Sequence, residues 1–239
     1  MQKLSLLFTK DGLQWAIGSG PSYSEKAFFQ DEETPEHYIS EQLTQALQQE
    51  DIGKIEIISA INHFSMLPFE FDQHHLGYQL ISYNAPVDPA NEELMIAINN
   101  EFNVQFYYTM PTSFYEKIKA TKIPSAFNFS GEKFLNHALF KDSGQQIHIH
   151  LYHNQAEFFA IKNKQILLYN NLDAHSEVDF LYFIMFAASK LNFNFKSVQF
   201  LVYGEIEENE TFLGELQKFA PHVEIVEKNI KNEYNFILQ

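Results

Sequence analysis

From Ile147 to Tyr203 the chain reads IHIHLYHNQAEFFAIKNKQILLYNNLDAHSEVDFLYFIMFAASKLNFNFKSVQFLVY. Short apolar and aromatic runs near Gln146–Tyr152, Ala156–Ile161 and Gln165–Tyr169 have strand length, and polar turn residues separate them. A longer run, Phe180–Ala188, is apolar on every side, and Val198–Tyr203 closes the unit as a fourth strand. Ser176, with Asp179 three residues on, marks the start of the intervening helix as a capping box with Asp in the usual Glu/Gln place. A helix with no polar face needs cover on more than one side, so it is expected between its own sheet and the other half of the chain. Its nine apolar residues fall far short of a bilayer span.

A weaker copy of this order opens the chain. Leu4–Phe8 and Leu13–Ile17 flank Thr9-Lys10-Asp11-Gly12, a hairpin signal because glycine tolerates positive φ. Lys26–Phe29 adds a third strand. Thr34 and Pro35 then stand as cap and first residue of a helix expected from about Glu36 to Gln49, followed by a strand at Ile55–Ile58. The repeated order, at an offset of roughly 140 residues, implies a duplicated two-lobed α/β architecture. The polar stretch Lys141–Gly144 divides it into lobes 1–144 and 145–239.

Between the copies, Tyr78–Tyr83 reads as a strand and Asn91–Asn99 as a short helix or a strand. Val104–Tyr108 reads as a strand, Thr112–Lys119 as a helix, Ala126–Phe129 as a strand and Gly131–Phe140 as a helix capped by Ser130. Beyond Tyr203 a helix over Asn209–Ala220, a strand at Val223–Val226 and a short terminal helix or tail at Asn232–Leu238 complete the pattern.

With 24 Phe and 12 Tyr the core is expected to be rich in rings. A net charge of −15 repels phosphate backbones and anionic lipid, which argues against nucleic-acid partners. Lys117–Lys122 holds three lysines and reads as a solvated helix face and exit. The absence of cysteine removes disulfides and thiol nucleophiles. Leu4–Phe8 is too short for a signal-peptide core and no run reaches the ~18 apolar residues of a membrane span, so a cytoplasmic chain without membrane insertion is expected.

Phe106-Tyr-Tyr-Thr-Met-Pro111, Phe127-Asn-Phe-Ser130 leading into Phe134-Leu135, Ile147–His153, the Asp179–Tyr182 helix and Leu201-Val-Tyr-Gly-Glu205 carry a resemblance. Together they resemble a family of uncharacterised bacterial proteins grouped with the actin, sugar-kinase and chaperone ATPase superfamily. The resemblance covers most of the chain. It implies a two-lobed, duplicated actin-like ATPase (ribonuclease H-like) fold, with mixed sheets that each open on a β-hairpin. Its motifs specify fold better than chemistry.

ATPases of that superfamily hold phosphates in the two hairpin turns, using an Asp near the first strand's end for the metal and glycines for close backbone approach. Asp11-Gly12 is the one candidate in the first turn, with Thr9 and Lys10 at the strand end and no Ser or Thr after the glycine. The second turn, His153-Asn154, has neither Asp nor Gly, and no glycine occurs between Gly144 and Gly204. Where a paired glycine should meet adenosine, the chain has Gly204-Glu205, and a carboxylate there would oppose phosphate. Asp11, Gly12, His153, Asn154, Gly204 and Glu205 are therefore candidates for a degenerate nucleotide cleft. ATP and Mg are disfavoured as cofactors, and no catalytic residue is assigned.

His148 and His150 share a strand face and His153 follows, which raises zinc or nickel binding, but no Asp or Glu lies close in sequence and a structural role is the better reading. His74-His75 reads as a solvated pair. Glu205, Glu207, Glu208 and Glu210 read as a solvated face or a docking surface for a basic partner. Asn128-Phe-Ser130 and Asn209-Glu-Thr211 match the glycosylation pattern by chance. No P-loop, Gly-x-Ser-x-Gly or paired-carboxylate motif is present. The expectation is a non-catalytic actin-like scaffold that binds an unidentified protein, with a homodimer an open option. The alternatives are a divergent ATPase or small-molecule phosphotransferase, and a ligand sensor with an aromatic interior.

Overall fold

The computed structural model describes residues 1–19, 22–31, 33–35, 37–71, 74–141, 143–152, 155–173, 176–204, 210–226 and 236–238, without the side chains of Ser22, Tyr23, Asp173 and Glu177. By its internal contacts the chain divides into Met1–Asn136 with Ile237–Gln239, and His137–Phe236.

The first unit is built on a five-stranded mixed sheet. Strands β1 (Gln2–Thr9), β2 (Gly12–Ser19) and β3 (Ser22–Phe29) form an antiparallel meander, helix α1 (Tyr38–Leu47) crosses over, and β4 (Ile52–Ser59) returns parallel to β1. Between β4 and the last strand of this sheet the chain inserts a second, antiparallel sheet. It consists of β5 (Phe64–Pro68), β6 (Glu92–Asn99) and β7 (Val104–Pro111) in the order β5-β7-β6, with α2 (Gly77–Ser82) among them. Helix α3 (Thr112–Ala120), β8 (Ser125–Phe129) and α4 (Ser130–His137) follow, and β8 completes the order β3-β2-β1-β4-β8.

The second unit repeats this frame without the insertion. Strands β9 (Gln145–Tyr152), β10 (Gln155–Lys162) and β11 (Gln165–Asp173) form a meander, α5 (Glu177–Lys190) crosses over, and β12 (Gln199–Gly204) lies parallel to β9. Helix α6 (Glu210–Phe219) and β13 (Val223–Ile225) then give β11-β10-β9-β12-β13, the same order as in the first unit. The two leading hairpins also match pair for pair. Thr9 faces Gly12 and Leu7 faces Gln14 in one, while Tyr152 faces Gln155 and His150 faces Glu157 in the other.

Each sheet packs a helical layer on one face. In the first, alternate residues Leu4, Leu6 and Phe8 meet Leu43 and Ala46 of α1 and Ile118 of α3. In the second, Ile147, Ile149 and Leu151 meet Ile184 of α5 and Leu216 of α6. The period of two along the strands explains the choice of face, and each fully buried large side chain contributes roughly 1.5–3 kcal/mol. Lys117, expected on a solvated face, instead ties α3 to α1: its Nζ donates to Ser40 O at 3.0 Å, Ser40 Oγ at 2.7 Å and Thr44 Oγ1 at 3.0 Å.

Several local expectations are corrected. Tyr78–Tyr83 was expected to be extended but lies largely in α2, because its apolar residues serve a helical turn and Tyr78 spends its hydroxyl on the β6 backbone, donating to Glu92 O at 2.7 Å. Asn91–Asn99 resolves to strand β6. Thr34 does not cap α1, since its hydroxyl donates to Asp31 Oδ1 at 2.5 Å in the preceding turn. Ser130 lies inside α4 rather than before it. Ser176 does cap α5, accepting from Asp179 N at 3.2 Å. The larger correction concerns α5 itself: Ile184, Phe180 and Ala188 are buried, but Val178, Tyr182, Phe183 and Phe186 are exposed, so the helix is covered on one side only.

Candidate functional site

The hairpin turns are the places where an actin-like chain would hold phosphate. Lys10 and Asp11 form a two-residue turn closed by the Thr9–Gly12 pair. Asp11 is exposed, and its carbonyl accepts from Gln30 N at 2.7 Å, which anchors the turn to the end of β3. Gly12 is used differently from the expectation. Positive φ among the described glycines occurs at Gly144 and Gly204, whereas Gly12 is an ordinary strand residue whose missing Cβ makes room for β3. A Cβ there would stand 2.7 Å from Phe28 O and 2.7 Å from the Phe29 ring. The space beside Gly12 is thus filled by protein.

In the second hairpin, His153 and Asn154 lie outside the described residues, but both flanking positions are defined. Tyr152 and Gln155 are buried, and Gln155, at the register position of Gly12, donates from Nε2 to Asn171 Oδ1 at 2.7 Å on β11. Gly204 carries φ +93 at the end of β12, where a Cβ would come within 2.2 Å of Leu151 O and 2.6 Å of the His150 ring. Its freedom serves the close approach of the end of β12 to its parallel neighbour β9, where Gly204 pairs with Leu151. Glu205, Glu207 and Glu208 lie outside the described residues, and Glu210 is exposed at the start of α6.

Sequence reading missed a layer of buried polar groups on the face of the second sheet opposite its helices. Gln146, His148, His150 and Tyr152 alternate with the apolar residues of β9, so the period of two sends them all to one side. Glu157 lies at the centre, fully buried: Tyr169 donates to its Oε2 at 2.7 Å, Tyr152 donates to its Oε1, and His150 Nδ1 lies 2.8 Å from the same oxygen. His148 Nδ1 lies 3.1 Å from the Tyr203 hydroxyl and its Nε2 3.2 Å from Gln146 Oε1. The Tyr203 hydroxyl in turn receives Leu139 N at 3.0 Å. Aromatic rings of the same unit seal the layer, with Phe140 4.7 Å from the His148 ring and Phe236 4.5 Å from that of His150.

Burial, aided by the Lys141 charge, pushes the His148 imidazole down to about 3, so it is neutral at ordinary pH. Burial pushes the Tyr203 phenol up to about 12 despite the hydrogen bond from Leu139. In the first unit the corresponding sheet face holds Glu56. Burial would raise its pKa, but Lys133 and Lys3 together hold it below the usual carboxylate range. His148 and His150 therefore have neighbours that suit structural hydrogen bonding. Among the described residues no group of three or more His, Cys, Asp or Glu is arranged to hold a metal ion. His74 and His75 are exposed in a short 3-10 turn, where His74 Nδ1 lies 2.7 Å from the Tyr107 hydroxyl.

A family model described as "Protein of unknown function (DUF3822)" matches residues 1–223. The chain belongs to that family. It is similar to a protein of Bacteroides thetaiotaomicron VPI-5482 described as having an actin-like ATPase fold and unknown function, at 18% identity and TM-score 0.79, over 94% of this chain and 90% of the other. It is also similar in structure to a chain of the PilM–PilN type IV pilus biogenesis complex, at 8% identity and TM-score 0.61, over 95% and 88%. The cytoplasmic domain of EpsL, an inner membrane component of the type II secretion system of Vibrio cholerae, aligns at 8% identity and TM-score 0.53, over 95% and 87%. No curated relative matches the chain in sequence. At these identities the likeness is one of fold, and the fold is the actin-like ATPase fold. Among the described residues no helix is long and apolar enough to cross a membrane.

Proposed function

We propose that the chain is a non-catalytic actin-like protein, a scaffold that works by binding another protein and whose nucleotide site is degenerate. The observation that carries this reading is the way both hairpin bases are filled. Polyphosphate needs open backbone N–H groups at such turns. Here Phe28 and Phe29 occupy the space beside Gly12, and the matching position is a buried Gln155 bonded to Asn171. The polar groups near the second turn are also committed internally, with Glu157 accepting from two tyrosines. ATP and Mg are therefore not assigned as cofactors. A solved neighbour of this fold is a chain of the PilM–PilN type IV pilus biogenesis complex, which supports protein binding as a use of the fold without nominating a partner.

A second reading, a divergent ATPase or small-molecule phosphotransferase, is favoured by one feature: Asp11 is exposed at the tip of the first turn, where a carboxylate could meet a metal. Titration calorimetry with Mg-ATP and Mg-ADP separates the two. The scaffold reading expects no saturable heat, and saturable micromolar binding would replace it with the second.

A further inference from the structure

Helix α5 exposes Val178 at 69%, Tyr182 at 61%, Phe183 at 46% and Phe186 at 48%. At about 100° per residue these four side chains fall within one sector of roughly 140° on the helix. The rings of Tyr182 and Phe186 stack at 5.9 Å between centroids, and those of Tyr182 and Phe183 meet edge-on at 5.7 Å, so the patch is continuous. Three half-exposed rings of ~150–250 Å² each, with Val178, leave on the order of 400 Å² of apolar surface, the size of patch that marks an interaction site. The helix in the same topological place in the first unit, α1, turns Glu41 and Gln45 outward instead, with Gln48 exposed at its C-terminal cap. The frame of the fold therefore does not require an apolar outer face here.

The charges around the patch say what covers it. Asp179 stands exposed at its N-terminal end and Lys190 at its C-terminal end, with Lys190 Nζ 5.2 Å from the Phe186 ring centroid. Both lie in the same sector as the rings. Two α5 helices placed antiparallel about a two-fold between residues 184 and 185 bring Asp179 of one copy opposite Lys190 of the other, at both ends. The same register sets Phe183 opposite Phe186 and opposes the two helix dipoles. The apolar seam between the ion pairs is about 16 Å long. A face that complements itself in charge and shape about a two-fold has the form of an isologous interface. An anionic lipid surface, by contrast, would meet a chain of net charge −15 through a patch with a single lysine.

We propose that the exposed face of α5 is a homodimer interface in which the Asp179–Tyr182–Phe183–Phe186–Lys190 seam pairs antiparallel with the same seam of a second copy. The inference rests on the reading of the chain as an interaction module and names its partner. The two fail separately, because nucleotide binding decides that reading and self-association decides this one. The area is about half that of a standard interface, so dissociation in the micromolar range is expected.

The test is sedimentation velocity of the full chain over a concentration series from about 1 to 500 μM, the range bracketing micromolar affinity. The expected result is a reversible monomer–dimer equilibrium. Phe186→Glu should leave the chain monomeric throughout with an unchanged circular dichroism spectrum, since the side chain is exposed. Asp179→Lys and Lys190→Asp should each weaken the dimer at least tenfold, and an equimolar mixture of the two single variants should restore it, because opposite charges then meet at both ends. A wild-type chain that is monomeric across the series, whether or not it binds a foreign protein or anionic vesicles through this face, overturns the proposal. So does a dimer indifferent to Phe186→Glu, or charge variants that fail to rescue one another on mixing.

Discussion

His148 Nδ1 lies 3.1 Å from the hydroxyl of Tyr203, on the adjacent parallel strand, and both side chains are out of water. The pairing satisfies one ring nitrogen of a buried imidazole, and the burial itself makes stability depend on pH. The His148 pKa falls from 6.5 to about 3 on folding, chiefly through burial. The unfolded chain therefore binds a proton between those values that the folded chain refuses. Stability from this group is fully present above about pH 6.5 and is lost as pH falls, by ~1.4 kcal/mol per pH unit down to about pH 3. Urea midpoints measured at intervals from pH 7 to pH 4 should show this slope, and His148→Gln should reduce it. An unchanged slope in the variant would show that His148 is not the group responsible.

Glu157 and Tyr169 form the second test. Tyr169 donates to Glu157 Oε2 at 2.7 Å in a fully buried setting, so removing one partner strands the other. Tyr169→Phe should cost about 1–3 kcal/mol, and Glu157→Leu more, near 3–5 kcal/mol, because it also strands Tyr152. The double variant should cost less than the sum, by 1 kcal/mol or more of coupling. Additive losses in chemical denaturation would contradict the network.

Two glycines should respond to alanine with opposite signs. At Gly204, φ is +93 and a Cβ would approach Leu151 O to 2.2 Å, so Gly204→Ala should destabilise by roughly 2–5 kcal/mol. Gly214 sits exposed inside α6 with nothing within 4 Å of an added Cβ, and Gly214→Ala should stabilise by about 0.5–1 kcal/mol. Melting temperatures of the two variants, compared with the parent, check both signs at once.

The repeated frame was legible because it depends on local signals. Strand lengths, the Ser176 cap and the apolar period of β9 are written in adjacent residues, and the structural neighbours bear out the actin-like fold they imply. The Asn91–Asn99 stretch was not, because β6 has partly buried residues on both faces and no clean period. The exposed face of α5 was misread for a related reason. An all-apolar helix signals that surface is available for burial, but sequence cannot say whether the chain's own sheet or another molecule supplies the cover. The buried polar layer escaped notice because His148, Glu157 and Tyr169 are brought together by cross-strand register, at separations that show no motif. Of the six candidate cleft residues, Gly12 and Gly204 prove to be close-packing positions and Asp11 an exposed turn residue, while His153, Asn154 and Glu205 lie outside the described residues.

The central claim, that the hairpin turns no longer serve nucleotide, is tested most directly by the melting temperature in 1 mM Mg-ATP or Mg-ADP against magnesium alone. A nucleotide bound at a Kd of about 10 μM would add ~2.7 kcal/mol at that concentration. For a chain of this length such a gain raises Tm by roughly 5–10 °C. The account predicts no shift beyond that produced by an equal ionic strength of salt, and a nucleotide-specific rise of several degrees would contradict it.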